Sequence, residues 1–177
     1  KCRPRCKRMR IIAGTSGGIP IKVPRDTTRP TTDRVRESLI SRLGDAISGA
    51  AVLDLFAGSG SLGLEALSRG AKSAVFVEES KAACRIIEGN LAKSKLNDMA
   101  AVRNQRVERF LRGAGASNQF ELIFADPPYA RDDEKSKLLD DLLLNPSLPN
   151  LLAADGIFVL ESCSRIPLPE LGDWAIA

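Results

Sequence analysis

The chain has 177 residues, 44% hydrophobic and 27% charged, which suits one globular domain with a core of its own and excludes a fibrous or wholly disordered protein. No apolar run reaches membrane-spanning length, and no apolar stretch follows the basic N-terminus as it would in a secretory signal. The lack of any histidine removes Ser-His and Cys-His catalysis and the commonest general base. The cysteines Cys2, Cys6, Cys84 and Cys163 follow no zinc spacing, so reduced thiols, no metal and a cytoplasmic location are expected. Residues 1–36 hold 11 Lys/Arg against 2 Asp/Glu, a net +9, whereas the remaining 141 residues hold 15 against 20, a net −5. A basic arm on a mildly acidic body suggests a polyanion partner; a solvated, disordered tail is the alternative, above all for residues 1–8.

Met9–Ile12 and Ile19–Val23 read as short strands joined through Gly14, Gly17 and Gly18, a hairpin. Pro30 ends the extended piece. Thr32 or Asp33 can cap a helix running to about Leu43, with Gly44 as its stop. Val35, Leu39 and Leu43 fall on one face of it, at i, i+4 and i+8, while Arg34 points elsewhere. Arg10, Arg29, Arg34 and Arg36 are candidate phosphate contacts, or else a solvated basic face.

An alternation follows: strand 51–56, helix 60–69, strand 73–77, helix 80–96, strand 100–103, a short helix near 107–112, strand 120–125, helix 133–144 and strand 156–161. Such an order implies an α/β fold, a mostly parallel sheet wound on both faces. The unbroken apolar runs Leu122–Phe124 and Ile157–Leu160 are those of strands covered on both sides. Pro146 and Pro149 are expected to break the chain before the last strong strand, and Trp174 to open one more.

The stretch VLDLFAGSGSLG, residues 52–63, spells strand, tight turn, helix, and Gly58, Gly60 and Gly63 form G-x-G-x-x-G. Glu78 ends the next strand, eighteen residues after Gly60, in place to accept hydrogen bonds from ribose hydroxyls. Asp54 bears on which nucleoside: it would repel a pyrophosphate over the turn, whereas S-adenosylmethionine brings an ammonium and a sulfonium. No lysine follows the second glycine, so a phosphate loop of the Walker kind is not expected. The alternative is that Asp54 only caps the turn and the glycines only permit close packing.

The fourth strand of the sheet ends in Asp126-Pro127-Pro128-Tyr129. Ligands of open α/β sheets bind outside the carboxyl ends of the strands, where Asp54, Glu78 and Asp126 all lie. The prolines remove two donors and leave the Asp126 and Pro127 carbonyls as acceptors beside the Asp126 carboxylate. With the Tyr129 ring, these suit a planar group bearing an exocyclic amine, such as a nucleobase.

DLFAGSG and DPPY at this separation resemble the amino-directed S-adenosylmethionine-dependent methyltransferases. RIIAGTSGGIPIKVP and TRPTTDRVRESL are similar to segments of the bacterial 16S rRNA guanine-N2 methyltransferase family (the RsmD type), and the resemblance covers about residues 9–161. It implies a Rossmann-like methyltransferase fold with an N-terminal β-hairpin extension, here residues 9–44, ahead of a methyltransferase domain at 45–177. It also implies methylation of a guanine N2 in 16S rRNA. A small-subunit particle as the setting, a monomeric enzyme, and no metal or membrane are further expectations. Asp54, Phe56, Gly58, Ser59, Gly60, Glu78 and Val107 would then hold S-adenosylmethionine, and Asp126, Pro127, Pro128 and Tyr129 the target base. Two departures stand out. Arg106-Val107 fills a place after the third strand that is often acidic or small and polar in relatives. The chain stops at Ala177 before a seventh strand, so the C-terminal strand pair is expected to be incomplete. Three other functions compete: adenine-N6 methylation of DNA or RNA, nicotinamide-dependent oxidoreduction, and ribosome assembly without catalysis.

Overall fold

The alternating pattern folds, in the computed structural model, into five parallel strands ordered β3-β2-β1-β4-β5. The structure describes residues 9–24, 33–113, 119–128 and 132–162, with Pro169 and Trp174. Its elements are α1 (Asp33–Leu43), β1 (Ala51–Leu55), α2 (Ser61–Ser68), β2 (Ser73–Glu78), α3 (Lys81–Ser94), β3 (Ala100–Asn104), α4 (Val107–Gly113), β4 (Phe120–Ala125), α5 (Asp132–Leu143), α6 (Ser147–Leu151) and β5 (Leu152–Leu160). The first four strands lie within one residue of their expected bounds; β5 begins four residues early, across a register shift in its pairing with β4. α6 was not expected. Pro146 sits at its N-cap and Pro149 in its first turn, where a missing N–H costs no helical bond, so these prolines start a helix and do not merely interrupt the chain.

Alternate residues of the central strands feed two cores. Val52, Ala74, Phe76, Leu122 and Phe124 pack against the side that carries α2 and α3. Leu53, Leu55, Val77, Ile123 and Ala125 pack with Leu111 of α4, Leu142 of α5 and Leu148 of α6. Burial on both faces explains the unbroken apolar run Leu122–Phe124 in β4, and β1 is buried throughout as well. β5 is less covered than its run suggested, with Ile157 38% exposed. Trp174 lays its ring on Phe158, centroids 5.3 Å apart. The stretch in which further strands were looked for lies largely outside the described residues.

The chain winds from β1 outward through β2 to β3, then returns to begin β4 on the other side of β1. That reversal opens a crevice at the carboxyl ends of β1 and β4, the usual ligand position in such sheets. Leu55 pairs with Val77 on one side and with Ala125 on the other, so the loops after β1, β2 and β4 leave the sheet at one level.

The expected hairpin is a single antiparallel bridge, Arg10 with Pro20, and not a pair of strands. Ile11 N–H donates to the Ile19 carbonyl and Ile21 N–H to the Met9 carbonyl, both at 3.0 Å. Pro20 has no N–H to extend the ladder, and the Ile12 and Ala13 amides go instead to the buried Glu65 carboxylate at 2.7 and 3.1 Å. α1 is rotated from the expected face. Leu39 and Leu43 pack against the core as expected, but Arg36 and Ile40 are the residues fully buried and Val35 is 53% exposed, so the centre of the inward stripe lies about one residue on from the one read off Val35. Among the described residues, no helix is long and apolar enough to cross a membrane.

Candidate functional site

The backbone turns sharply at the carboxyl edge of β1. Phe56 has φ 59°, a costly left-handed conformation for a bulky residue, and Gly58 and Gly60 follow at 56° and 76°. The turn is tied from within: Gly60 N–H donates to the Ala57 carbonyl at 2.7 Å, and Ala57 N–H to the Val77 carbonyl at 3.1 Å. Gly58 N–H donates to Glu78 Oε2 at 2.9 Å, and Gly63 N–H, the third amide of α2, to Asp54 Oδ2 at 3.0 Å. All three fingerprint amides therefore end on oxygens of the chain itself. A pyrophosphate needs such amides free to bind it, so the geometry disfavours a dinucleotide. Gly63 has a steric reason as well: a Cβ there would lie 2.3 Å from the Phe76 ring.

Asp54 is 2% exposed, and the capping role left open by its position is real, since it holds Gly63 N–H. Its pKa is pushed up from 3.8 to about 8, by burial first; the negative charges of Asp126 and Glu78 add to the rise, and the Gly63 hydrogen bond opposes it. Three carboxylates from three different strand ends thus feel one another at one edge. This is an electrostatic setting that favours an incoming cation and repels an anion.

Glu78 closes β2 half-buried. Its Oε1 accepts Ser80 N–H at 2.8 Å, and its carbonyl accepts Asn104 Nδ2 at 3.0 Å and Gln105 N–H at 3.1 Å. Asp126 follows β4 directly and is half-exposed, with Pro127 buried and Pro128 exposed. Glu161 N–H donates to the Ala125 carbonyl at 2.9 Å and holds the end of β5 beside that turn. Val107 is buried at the start of α4; with Phe56, Leu111, Leu138 and Leu142 it lines a small, shallow hollow. The neighbouring Arg106 lies 3.5 Å from both Glu79 and Glu108.

One sequence expectation is corrected, at Arg36. Ser59 is buried, its hydroxyl 3.7 Å from Met9 Sδ and its carbonyl accepting Asn90 Nδ2 at 3.0 Å. Arg36 is fully buried and donates from Nη2 to the Arg10 carbonyl at 2.8 Å, so it fastens α1 to the N-terminal segment and offers no surface for a phosphate. Arg10 and Arg34 are exposed. Tyr129 and Arg29 lie outside the described residues, as do Cys2 and Cys6.

The polar residues that bolt the N-terminal segment to α2 and α3 were missed. Glu65 takes Ile12 and Ala13 amides and Arg69 Nε; Ser68 takes Ser16 N–H and donates to the Ala13 carbonyl; Asn90 takes Lys22 N–H. The signal was present: each is a polar residue inside an otherwise apolar helical stripe.

A family model described as Conserved hypothetical protein 95 matches residues 9–177. The chain belongs to this family. It is 42% identical over 172 residues to Ribosomal RNA small subunit methyltransferase D of Escherichia coli K12, covering 95% of this chain and 82% of that one. The protein of the same name from Haemophilus influenzae is 42% identical over 123 residues, 68% of this chain and 64% of the relative. Among solved structures, a hypothetical protein from Thermus thermophilus superposes with a TM-score of 0.78 at 36% identity, covering 91% of this chain and 90% of the other. The fold of this family member is the Rossmann-like methyltransferase fold.

Proposed function

We propose that this methyltransferase transfers a methyl group from S-adenosylmethionine to the exocyclic N2 of a guanine in small-subunit ribosomal RNA. The observation that carries the reading is the meeting at one sheet edge of the Asp126-Pro127-Pro128 turn and the acidic glycine loop. The printed names of its relatives support the RNA class. The donor supplies an electrophilic methyl on a positively charged sulfur. Its charges fit an edge where Asp54, Glu78 and Asp126 already feel one another, and where Glu78 and Asp54 have taken the Gly58 and Gly63 amides.

The chain's residues divide the remaining work. Glu78, held by Gly58 and Ser80 amides, retains lone pairs for ribose hydroxyls. Phe56, Gly58 and Gly60 shape the wall along the methionine end, and Val107 the wall on the adenine side. Guanine N2 is a weak nucleophile because its lone pair is delocalised into the ring. The Asp126 carboxylate and the Pro127 carbonyl accept its two N–H bonds and hold the nitrogen partly pyramidal, with its lone pair in line with the methyl carbon. As the N–C bond forms and the S–C bond breaks, the nitrogen becomes acidic, and Asp126 or water takes the proton. The base leaves its stack to reach this edge, and Tyr129 offers a ring to replace the lost stacking. Arg10, Arg29 and Arg34 hold RNA phosphates without reading sequence.

The test is methylation of small-subunit particles and naked rRNA that lack the modification, followed by digestion and nucleoside mass spectrometry. N2-methylguanosine is the expected product. N6-methyladenosine would move the substrate to adenine, and RNA binding with no methyl transfer on either substrate would refute catalysis.

A further inference from the structure

Asn90 is 1% exposed on α3, and its carboxamide reaches two segments far away in sequence. Nδ2 donates to the Ser59 carbonyl at 3.0 Å and to the Lys22 carbonyl at 2.9 Å, while Oδ1 accepts Lys22 N–H at 2.8 Å. Ser59 lies between Gly58 and Gly60, both left-handed, in the middle of the donor loop. Its hydroxyl meets Met9, so the first part of the N-terminal segment touches that same loop residue directly and the last part reaches it through Asn90. Between them the segment runs along α3: Ser16 Oγ donates to the Ser94 carbonyl at 2.9 Å and Lys93 Nζ to the Pro20 carbonyl at 2.6 Å. Asparagine suits this place because one planar group both donates twice and accepts. Aspartate would set an oxygen against two carbonyls.

We infer that Asn90 is a positioning residue that couples RNA held on the N-terminal segment to the shape of the donor's glycine loop, so that the two ligands bind cooperatively. The inference rests on reading that segment as an RNA contact surface. RNA seated on residues 9–24 holds the Lys22 backbone in one position, and Asn90 passes that constraint to Ser59. The donor then meets a loop already held in the shape that it binds. Linkage makes the effect mutual, the donor tightening RNA by the same factor.

The experiment uses the full chain and radiolabelled S-adenosylhomocysteine, which avoids turnover, in equilibrium dialysis with and without saturating small-subunit rRNA. Wild type is expected to bind the nucleoside about five-fold more tightly, or better, when RNA is present. Asn90→Asp should bring that ratio to about one, because it loses the bonds to the Ser59 and Lys22 carbonyls and keeps only an acceptor for Lys22 N–H. A purely structural role for Asn90 would lower the melting temperature and both affinities but leave the ratio intact, and that result overturns the inference. RNA binding by wild type without any ratio also overturns it, leaving the function reading standing; failure of wild type to bind RNA removes both. Hydrogen exchange of wild type without donor is independent of how the variant folds: RNA should slow the amides of residues 57–63, and unchanged exchange there refutes the coupling.

Discussion

Replacing Asp54 by asparagine separates the charge of this residue from its shape. The side chain keeps its size and an oxygen for Gly63 N–H, and only the ionisation is removed. In the folded protein the Asp54 pKa stands at about 8 against an ordinary 3.8, raised chiefly by burial. A raised folded pKa means the native state holds its proton more tightly than the unfolded chain. The associated stability is therefore complete below the unfolded value and is lost as pH rises through the folded one. At about 1.4 kcal/mol per pH unit, the loss between pH 4 and pH 8 has a ceiling of about 6 kcal/mol. Donor-free wild type should melt at progressively lower temperature across that window relative to Asp54→Asn, which lacks this dependence.

Donor binding should show the opposite preference. A cationic ligand favours the ionised carboxylate, so binding to wild type at pH 7 should expel a proton from Asp54, about 0.9 per site for a pKa near 8. Calorimetry in two buffers of different ionisation enthalpy measures that release, and the asparagine variant subtracts the ligand's own titration. Wild-type affinity should rise from pH 6 to pH 8 relative to the variant, and the variant should bind more weakly throughout. Equal proton release by the two proteins, with parallel melting curves, would refute the electrostatic role of Asp54 and leave it only a cap.

Other expectations follow from single contacts. Gly63→Ala places a methyl 2.3 Å from the Phe76 ring and 3.2 Å from Asp54 Oδ2, so it should cost about 1–3 kcal/mol in denaturant unfolding; an unchanged midpoint would contradict the packing. Asp126→Ala should abolish methyl transfer to rRNA while donor affinity stays within a few-fold, and more than a tenth of wild-type activity would sink its assignment to the base. Arg34→Glu reverses an exposed charge and should weaken RNA binding and reduce the log–log salt slope by about 0.7–0.9 for each phosphate no longer neutralised, with donor affinity unchanged. An unaltered salt slope would mean that Arg34 lies on a solvated face.

The parts of the fold that could be read were those whose period follows from local geometry. Leu122–Phe124 reads as a strand buried on both faces because neither face meets water, and the structure buries all three residues completely. The positions of Asp54, Glu78 and Asp126 were readable for a related reason: each stands at or near the carboxyl end of a recognisable strand, and parallel pairing fixes which ends meet. Where partners are distant in sequence, the reading failed. Arg36 looked like a surface cation, but it is buried and its guanidinium donates to the Arg10 carbonyl, a contact that no local pattern announces. Nothing near Ser59 in sequence revealed that its hydroxyl meets Met9 and its carbonyl Asn90. α6 escaped because proline was taken as a breaker where it serves as an initiator.

The glycine fingerprint alone does not choose its ligand; the acids around it do. With Gly58 and Gly63 amides free, the start of α2 would attract phosphate. Here Glu78 and Asp54 have taken those amides, so the positive ends of the backbone dipoles are spent on the chain's own carboxylates. The same two bonds turn an anion site into one that favours positive charge. Asp126 then stands apart from Asp54 in kind. Asp54 is sealed in the sheet and acts through its field, whereas Asp126 is half-exposed beyond the end of β4, beside two residues that cannot donate a backbone N–H. An acceptor-rich turn next to a cation-favouring pocket is what amine methylation requires, because the nitrogen must be held by its protons while its lone pair stays free to face an electrophile.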